Sequence, residues 1–440
     1  MPAPALPRRR DLALGGTAAV GLALAACGPN AQPSGSGSGG SDGGGDAALR
    51  MTWWGGDKRA ALTQEVIDQY VGALNGVTIE AEPSDFSSYW DKLATQTAAG
   101  SAPDIIQMEE AYLAEYAQRG ALLDLSTAGL DTSGFTEGLA EAGTVGEAGK
   151  VGVRGGSNAP IMLVNASLFE RAGVELPDDT TWTWDDQLAI AEALGAATED
   201  GTFGTGQFVV NPVVFRAWLR QHGKALWTDG ALGFDTADAT GFFEHAERML
   251  SSGAGPDASQ TQEDYAAGIE QSLFATGRQG MTVAWSNQTV AFTSVLEDEL
   301  VLMRLPAAPG DPGNHQMWLK PGMFWSVAAT SAHPEAAVAF INHFLNAPEA
   351  AEILGVERGL PPNTEIRELV KGRLEGIELE TLEFVDEITP EVGADPEIAP
   401  QGGSQFESLL NRVGESFMFG EIDAAAAGQQ MVDELGAAIG

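Results

Sequence analysis

The sequence predicts an α/β fold, with a mainly parallel sheet covered by helices and a second, similar lobe behind it. Three observations carry this reading. Strand-like and helix-like stretches alternate through the hundred residues that follow position 48. Strand-like segments recur in the second half of the chain, although no stretch of sequence repeats. The 440 residues are also enough for two domains once a leader is set aside.

The leader is residues 1–26. Arg8, Arg9 and Arg10 form a basic start, Leu12 to Leu24 is a short apolar run rich in Ala and Gly, and Ala25, Ala26 and Cys27 follow. The run is too short to span a bilayer and has the anatomy of a signal peptide. Leu24-Ala25-Ala26-Cys27 resembles a bacterial lipobox, which implies that Cys27 is lipidated and becomes the first residue of the mature chain. The arginine pair before Asp11-Leu12 resembles a twin-arginine export signal, and ordinary Sec export stays open. Residues 27–47, nearly all Gly, Ser and other small or polar types, read as a flexible tether. The expected location is the outer face of the cell membrane, held by the lipid alone.

The elements follow in order. Leu49 to Trp54 is a strand ending at Gly55-Gly56, and Leu62, Val66, Tyr70 and Leu74 recur at helical spacing after it. Val77 to Ala81 is the next strand, and Tyr89, Leu93 and Thr97 mark the next helix, closed by Gly100. Pro103 and Asp104 stop that unit, and Asp104 to Met108 reads as a short buried strand. Two carboxylates, Glu109 and Glu110, stand at its carboxyl end, before a helix marked by Tyr112, Leu113, Tyr116 and Ala117 and closed by Gly120. Ligands of open α/β sheets lie just beyond the carboxyl ends of strands, so this stretch is the expected binding edge.

Further on, Gly149 to Asn158 is a glycine-rich strand, Pro160 to Asn165 an apolar one, and Met281 to Asn287 and Leu300 to Pro306 are two more. Thr183 or Asp185 caps a helix carrying Leu188, Ala189 and Leu194. Phe242 to Leu250 is a helix, Pro334 opens another at its first position, and Met431, Leu435 and Ile439 lie on a terminal one.

Several of these stretches share a resemblance. Pro103-Asp104-Ile105-Ile106 followed by Tyr116-Ala117-Gln118, Gly120, Leu122 and Leu125 is similar to a signature of the maltose-binding-like extracellular solute-binding proteins of ABC importers. So are Leu168 to Gly173 with Pro177 and Thr181 to Asp186, the opening Trp53 to Lys58, and the Arg358-Gly359 turn. The resemblance covers roughly Leu49 to Gly440. It implies a two-lobed periplasmic-binding-protein-like fold with a hinge and an interlobe cleft. It also implies a carbohydrate ligand delivered to an ABC permease, no cofactor, and a monomer. Asp57 and Lys58 would touch the sugar, Asn158 would sit at the cleft mouth with Arg154, and Trp285 and Trp325 would be cleft aromatics. Crossings between lobes give expected lobes of 48–153 with 306–347, and 158–304 with 348–440. Val164-Asn165 ends the first crossing without the family's tyrosine.

Composition excludes other classes. A net charge of −39 argues against nucleic acid and anionic lipid as partners and for an acidic, solvated surface. With one cysteine no intramolecular disulfide forms. No Walker loop, GxSxG, HExxH or CxxC is present, and the five histidines lack metal-ligand spacing. Sugars present apolar faces and hydroxyl rims, which aromatics and ionised carboxylates match. The expected ligand residues are Trp54, Asp57, Lys58, Asp85, Glu109, Glu110, Asn158, Trp285, Phe324, Trp325 and Arg358, with Glu109 and Glu110 as alternatives for the one facing the ligand. Asp57, Asp85, Glu109 and Glu110 would equally suit a cation such as a polyamine. A secreted glycoside-active enzyme is the third reading, disfavoured because adjacent carboxylates rarely flank one bond from opposite sides.

Overall fold

The structure is a computed structural model that describes residues 47–440 except 75, 137, 199, 200, 207 and 394. The expected signal peptide, Cys27 and all but the last residue of the expected tether lie outside the described residues.

β1 (Ala47–Trp54) pairs in parallel with β2 (Val77–Ser84) and β3 (Ile105–Met108), through the connecting helices Asp57–Ala73 and Phe86–Ala98. β10 (Lys320–Val327) returns antiparallel between β3 and β4 (Val153–Asn158), so the sheet order is β2-β1-β3-β10-β4. The parallel part is therefore confined to three strands. Both faces are covered. Trp53, Ile105, Val153 and Trp325 share one core with the helix Pro334–Asn346, and Trp54, Ile106, Met108 and Phe324 share another with helices Phe86–Ala98 and Glu110–Gln118. Burial on both faces is why the four residues of β3 are all inaccessible. It also corrects the placement of Phe324 and Trp325. Being adjacent on a strand they point to opposite faces, and at 1% exposure each belongs to a core.

A second sheet is antiparallel throughout: β5 (Pro160–Asn165) lies between β8 (Met281–Trp285) and β9 (Leu300–Met303). Its core gathers Trp182, Trp184, Phe215, Phe242, Phe406 and Leu435 from the surrounding helices, beside a short ribbon of β6 (Trp227–Thr228) and β7 (Ala231–Leu232). Thr183, not Asp185, caps the helix Trp184–Ala197, exchanging hydrogen bonds with Asp186.

The packing also moves two expected lobe boundaries. Leu305, Met317, Trp318 and Leu319 belong to the second core, so the chain stays with the second sheet past Pro306 and joins the first at Lys320. Arg304 explains the delay. It is 5% exposed in its side chain and tied to Asp179 (3.2 Å), Glu387 (3.0 Å) and Glu391 (2.8 Å), all of the second lobe. Ala350 lies in a first-sheet core, and Ile366 and Val370 pack with Ala351, so residues 348–371 pack with the first lobe except at Leu360, which lies in the second core. The second core resumes with the helix Gly376–Ile388.

Three segments meet at the waist. A Cβ on Gly156 would lie 2.1 Å from the Arg358 carbonyl oxygen, and one on Gly322 would lie 2.8 Å from the same atom. Gly359, at φ +90°, would set a Cβ 2.5 Å from Asn158 Oδ1. Ser157 and Leu360 exchange backbone hydrogen bonds of 2.9 Å across this point. No helix among the described residues is long and apolar enough to cross a membrane.

Candidate functional site

A cavity of about 430 Å³ opens where the carboxyl ends of β1 and β3 face the end of β8. On the first-lobe wall, Glu109 ends β3 and caps the helix Glu110–Gln118: Ala111 N–H donates to its Oε2 at 2.7 Å. Its other oxygen takes the Lys320 ammonium at 2.8 Å. Glu110 follows at the first helical position, 4% exposed, and neither of its oxygens has a hydrogen-bond partner. The nearest cation is Arg216, whose guanidinium nitrogen lies 3.6 Å from Glu110 Oε1.

The two carboxyls titrate apart for a physical reason. Burial pushes Glu109 up, but the Lys320 ammonium and the Ala111 N–H more than reverse this and hold it below the ordinary carboxylate range. Burial dominates at Glu110, and the opposing charges of Arg216 and Lys320 do not compensate, so its carboxyl is pushed up. Burial would lower Lys320, yet the facing Glu109 and Glu110 raise it overall.

Aromatic rings supply the apolar surface. Trp54, at the end of β1, packs edge-on against Phe86 (5.7 Å) and Tyr89 (5.3 Å). Tyr112 stacks on Trp90 at 3.8 Å. Trp54, Phe86 and Tyr112 line the cavity, and Phe86 is 50% exposed at its edge. Trp285, at the end of β8, lines the facing wall. Lys320 Nζ lies 5.3 Å from its ring centre, and Trp318 buttresses it edge-on at 6.1 Å. Asn158 also lines the cavity, 6% exposed, with a buried Oδ1 lacking a partner. Ser404, Phe406 and Glu407 close the third side.

The structure thus gathers Trp54, Glu109, Glu110, Asn158 and Trp285 around one space, and both glutamates line it. The other expected residues lie elsewhere. Asp57 and Lys58 are exposed in the first turn of the helix Asp57–Ala73, and Asp85 is exposed at the N-cap of the next helix. Arg358 is 4% exposed and packs between Trp325 (5.4 Å) and Phe344 (5.3 Å), donating to Thr63 Oγ1 at 2.8 Å. Burial, with Arg59 nearby, pulls it down to about 9. Its surroundings are structural, part of the waist. Arg154 is fully buried rather than at a mouth, paired with Asp395 and donating to Ser157 Oγ at 3.1 Å.

Sequence reading missed Arg216, Lys320, Tyr112 and Glu407 as lining residues. Arg216 had a signal. It interrupts the helix Pro212–Gln221, in which Val213, Val214, Phe215, Ala217, Trp218 and Leu219 are all buried, and a cation in such a run needs a reason to be there. Lys320 had none, since it reaches the site only because β10 starts beside β4.

Comparison with known proteins agrees with this architecture. An oligogalacturonide-binding protein of Yersinia enterocolitica, solved with saturated digalacturonic acid, superposes with a TM-score of 0.78 at 20% identity, covering 90% of this chain and 100% of that one. An ABC substrate-binding protein of Listeria monocytogenes, solved with cycloalternan, gives a TM-score of 0.75 at 19% identity, covering 89% and 98%. An uncharacterised lipoprotein of Streptomyces antibioticus, from the oleD 5′ region, is 29% identical over 196 residues, 44% of this chain. The chain spans 40% of the length of that relative. The model of the bacterial extracellular solute-binding proteins matches residues 65–373. With that match running through both sheets of an α/β periplasmic-binding-protein fold, the chain belongs to the bacterial extracellular solute-binding protein family.

Proposed function

We propose that this protein captures a carbohydrate in the cleft and hands it to an ABC permease, held outside the membrane by a lipid on Cys27. One observation carries the ligand class. The cavity sets the rings of Trp54 and Trp285 beside buried polar atoms with no protein partner, on Glu110 and Asn158. Unpartnered buried acceptors are costly, and a sugar supplies hydroxyls to them while its apolar face covers an aromatic ring. The Yersinia and Listeria proteins, whose solved complexes hold oligosaccharides, support this reading by fold.

The cation reading is weaker. Two of its four carboxylates, Asp57 and Asp85, do not line the cavity, and Lys320 and Arg216 face the other two. A glycosidase needs two free carboxyls, and Glu109 is committed to its helix cap and to Lys320.

A thermal-shift screen over mono- and oligosaccharides tests the reading. A ligand at about 100 times its Kd adds about 2.7 kcal/mol to stability and raises the melting temperature. Binding of a neutral sugar should barely respond to added salt, whereas a polyamine should weaken steeply. A polyamine hit with that salt response, and no sugar hit, would replace this proposal.

The anchor is tested separately. Cys27→Ser should release the protein into the medium with its melting temperature unchanged. A variant that stays on membranes after a salt wash overturns the lipid anchor.

A further inference from the structure

We infer that Arg216 and Glu110 form a donor–acceptor pair that selects an uncharged ligand bearing two adjacent hydroxyls and turns away both cationic and anionic solutes. The inference rests on the carbohydrate reading above and deepens it.

The pair spans the cleft. Glu110 stands on the first lobe, at the start of its helix, and Arg216 on the helix Pro212–Gln221, which Asn211 caps and whose apolar side packs into the second core. Glu110 is 4% exposed with both oxygens bare. Among the described residues, Arg216 makes no hydrogen bond. Its guanidinium lies over the Phe406 ring at 5.6 Å and faces Glu110 Oε1 at 3.6 Å, beyond hydrogen-bond length. Arg220, one turn on, is engaged elsewhere, over Trp318 at 5.3 Å and donating to the Gln316 carbonyl at 3.1 Å. Both members of the pair line the cavity.

A carboxylate only accepts hydrogen bonds and a guanidinium only donates them. A hydroxyl does both. An oxygen beside the pair reaches both groups at once, accepting from Arg216 and donating to Glu110, and a neighbouring hydroxyl takes the second carboxylate oxygen. An ammonium placed there meets the Arg216 charge, and a carboxylate meets Glu110. The Glu109–Lys320 pair beside them is already matched at 2.8 Å and adds no net charge. Selectivity against either sign of ligand therefore comes from keeping opposite charges close but not bonded.

Calorimetry on the full chain tests this with neutral di- and trisaccharides, digalacturonic acid and spermidine. Wild type should bind a neutral sugar and neither charged probe. Arg216→Gln should lose affinity for that sugar by about tenfold or more and gain measurable binding of spermidine. Glu110→Gln should gain binding of digalacturonic acid. Arg216→Lys, which keeps the charge without the fork, should weaken sugar binding and still exclude spermidine, and it serves if Arg216→Gln fails to fold. A neutral sugar bound equally well by wild type and the Arg216 variants overturns the pair and leaves the carbohydrate reading standing. So does wild-type binding of digalacturonic acid. Absence of any neutral-sugar binding overturns both.

Discussion

Asp395→Ala should lower the free energy of unfolding by about 3 kcal/mol, read as a fall in the urea midpoint at constant slope. Arg154 on β4 is 0% exposed, and Asp395 is its only charged partner within ion-pair distance among the described residues. Its Nε has no partner, and among the described residues the hydrogen bond to Ser157 Oγ at 3.1 Å is the one that would survive. Removing the carboxylate strands a guanidinium inside the protein, which costs about 3–5 kcal/mol for a wholly buried pair. The lower end applies because the Asp395 side chain is 34% exposed, so water reaches the site it leaves. Arg154→Met in the Asp395→Ala background should recover part of the loss, since no charge then remains to be solvated. A single variant within about 0.5 kcal/mol of wild type would show that Arg154 does not depend on Asp395.

Glu110→Gln should do two opposite things. Sugar affinity should fall by about 1.5–3 kcal/mol, roughly 10- to 150-fold in Kd, the range for hydrogen bonds to a charged group. The ligand-free protein should nevertheless melt higher at pH 7. Burial raises the folded-state pKa of Glu110 above that of the unfolded chain, so the native state holds its proton more tightly. Wild type therefore loses stability as pH rises from the ordinary carboxylate value through the raised one. Glutamine is exempt from this loss. The advantage of the variant should be absent at acid pH and grow across that window. Melting curves from pH 4 to pH 8 check the sign. A variant less stable than wild type at neutral pH would mean that Glu110 is satisfied in the folded protein.

The parts of the fold that were legible in sequence are those that local chemistry dictates. The break at Pro103-Asp104, the four buried residues of β3 and Pro334 at a helix start each express a backbone preference that tertiary contacts reinforce. Glu109, Glu110 and Trp285 were legible as residues lining one cavity because they stand at or just beyond strand ends, where open α/β sheets leave a crevice. Phe324 and Trp325 were misjudged because a strand covered on both faces consumes every side chain, and nothing in the sequence says which strands are so covered. Arg358 was misjudged for a related reason: its charge is absorbed by the rings of Trp325 and Phe344, far away in sequence or on another element. Arg216 and Lys320 reach Glu110 and Glu109 over more than a hundred residues of chain, a pairing that only the assembled lobes create.

The crowding of Gly156, Gly322 and Gly359 around the Arg358 carbonyl and Asn158 has a mechanical meaning. Three strings of backbone meet here with only the Asn158 side chain among them, so movement of one is felt by the others. A change of angle where β4 leads into β5 presses on the 358–360 segment and on the start of β10 together. With Asn158 on both the waist and the cavity wall, a change at that joint is carried directly to the wall of the cavity.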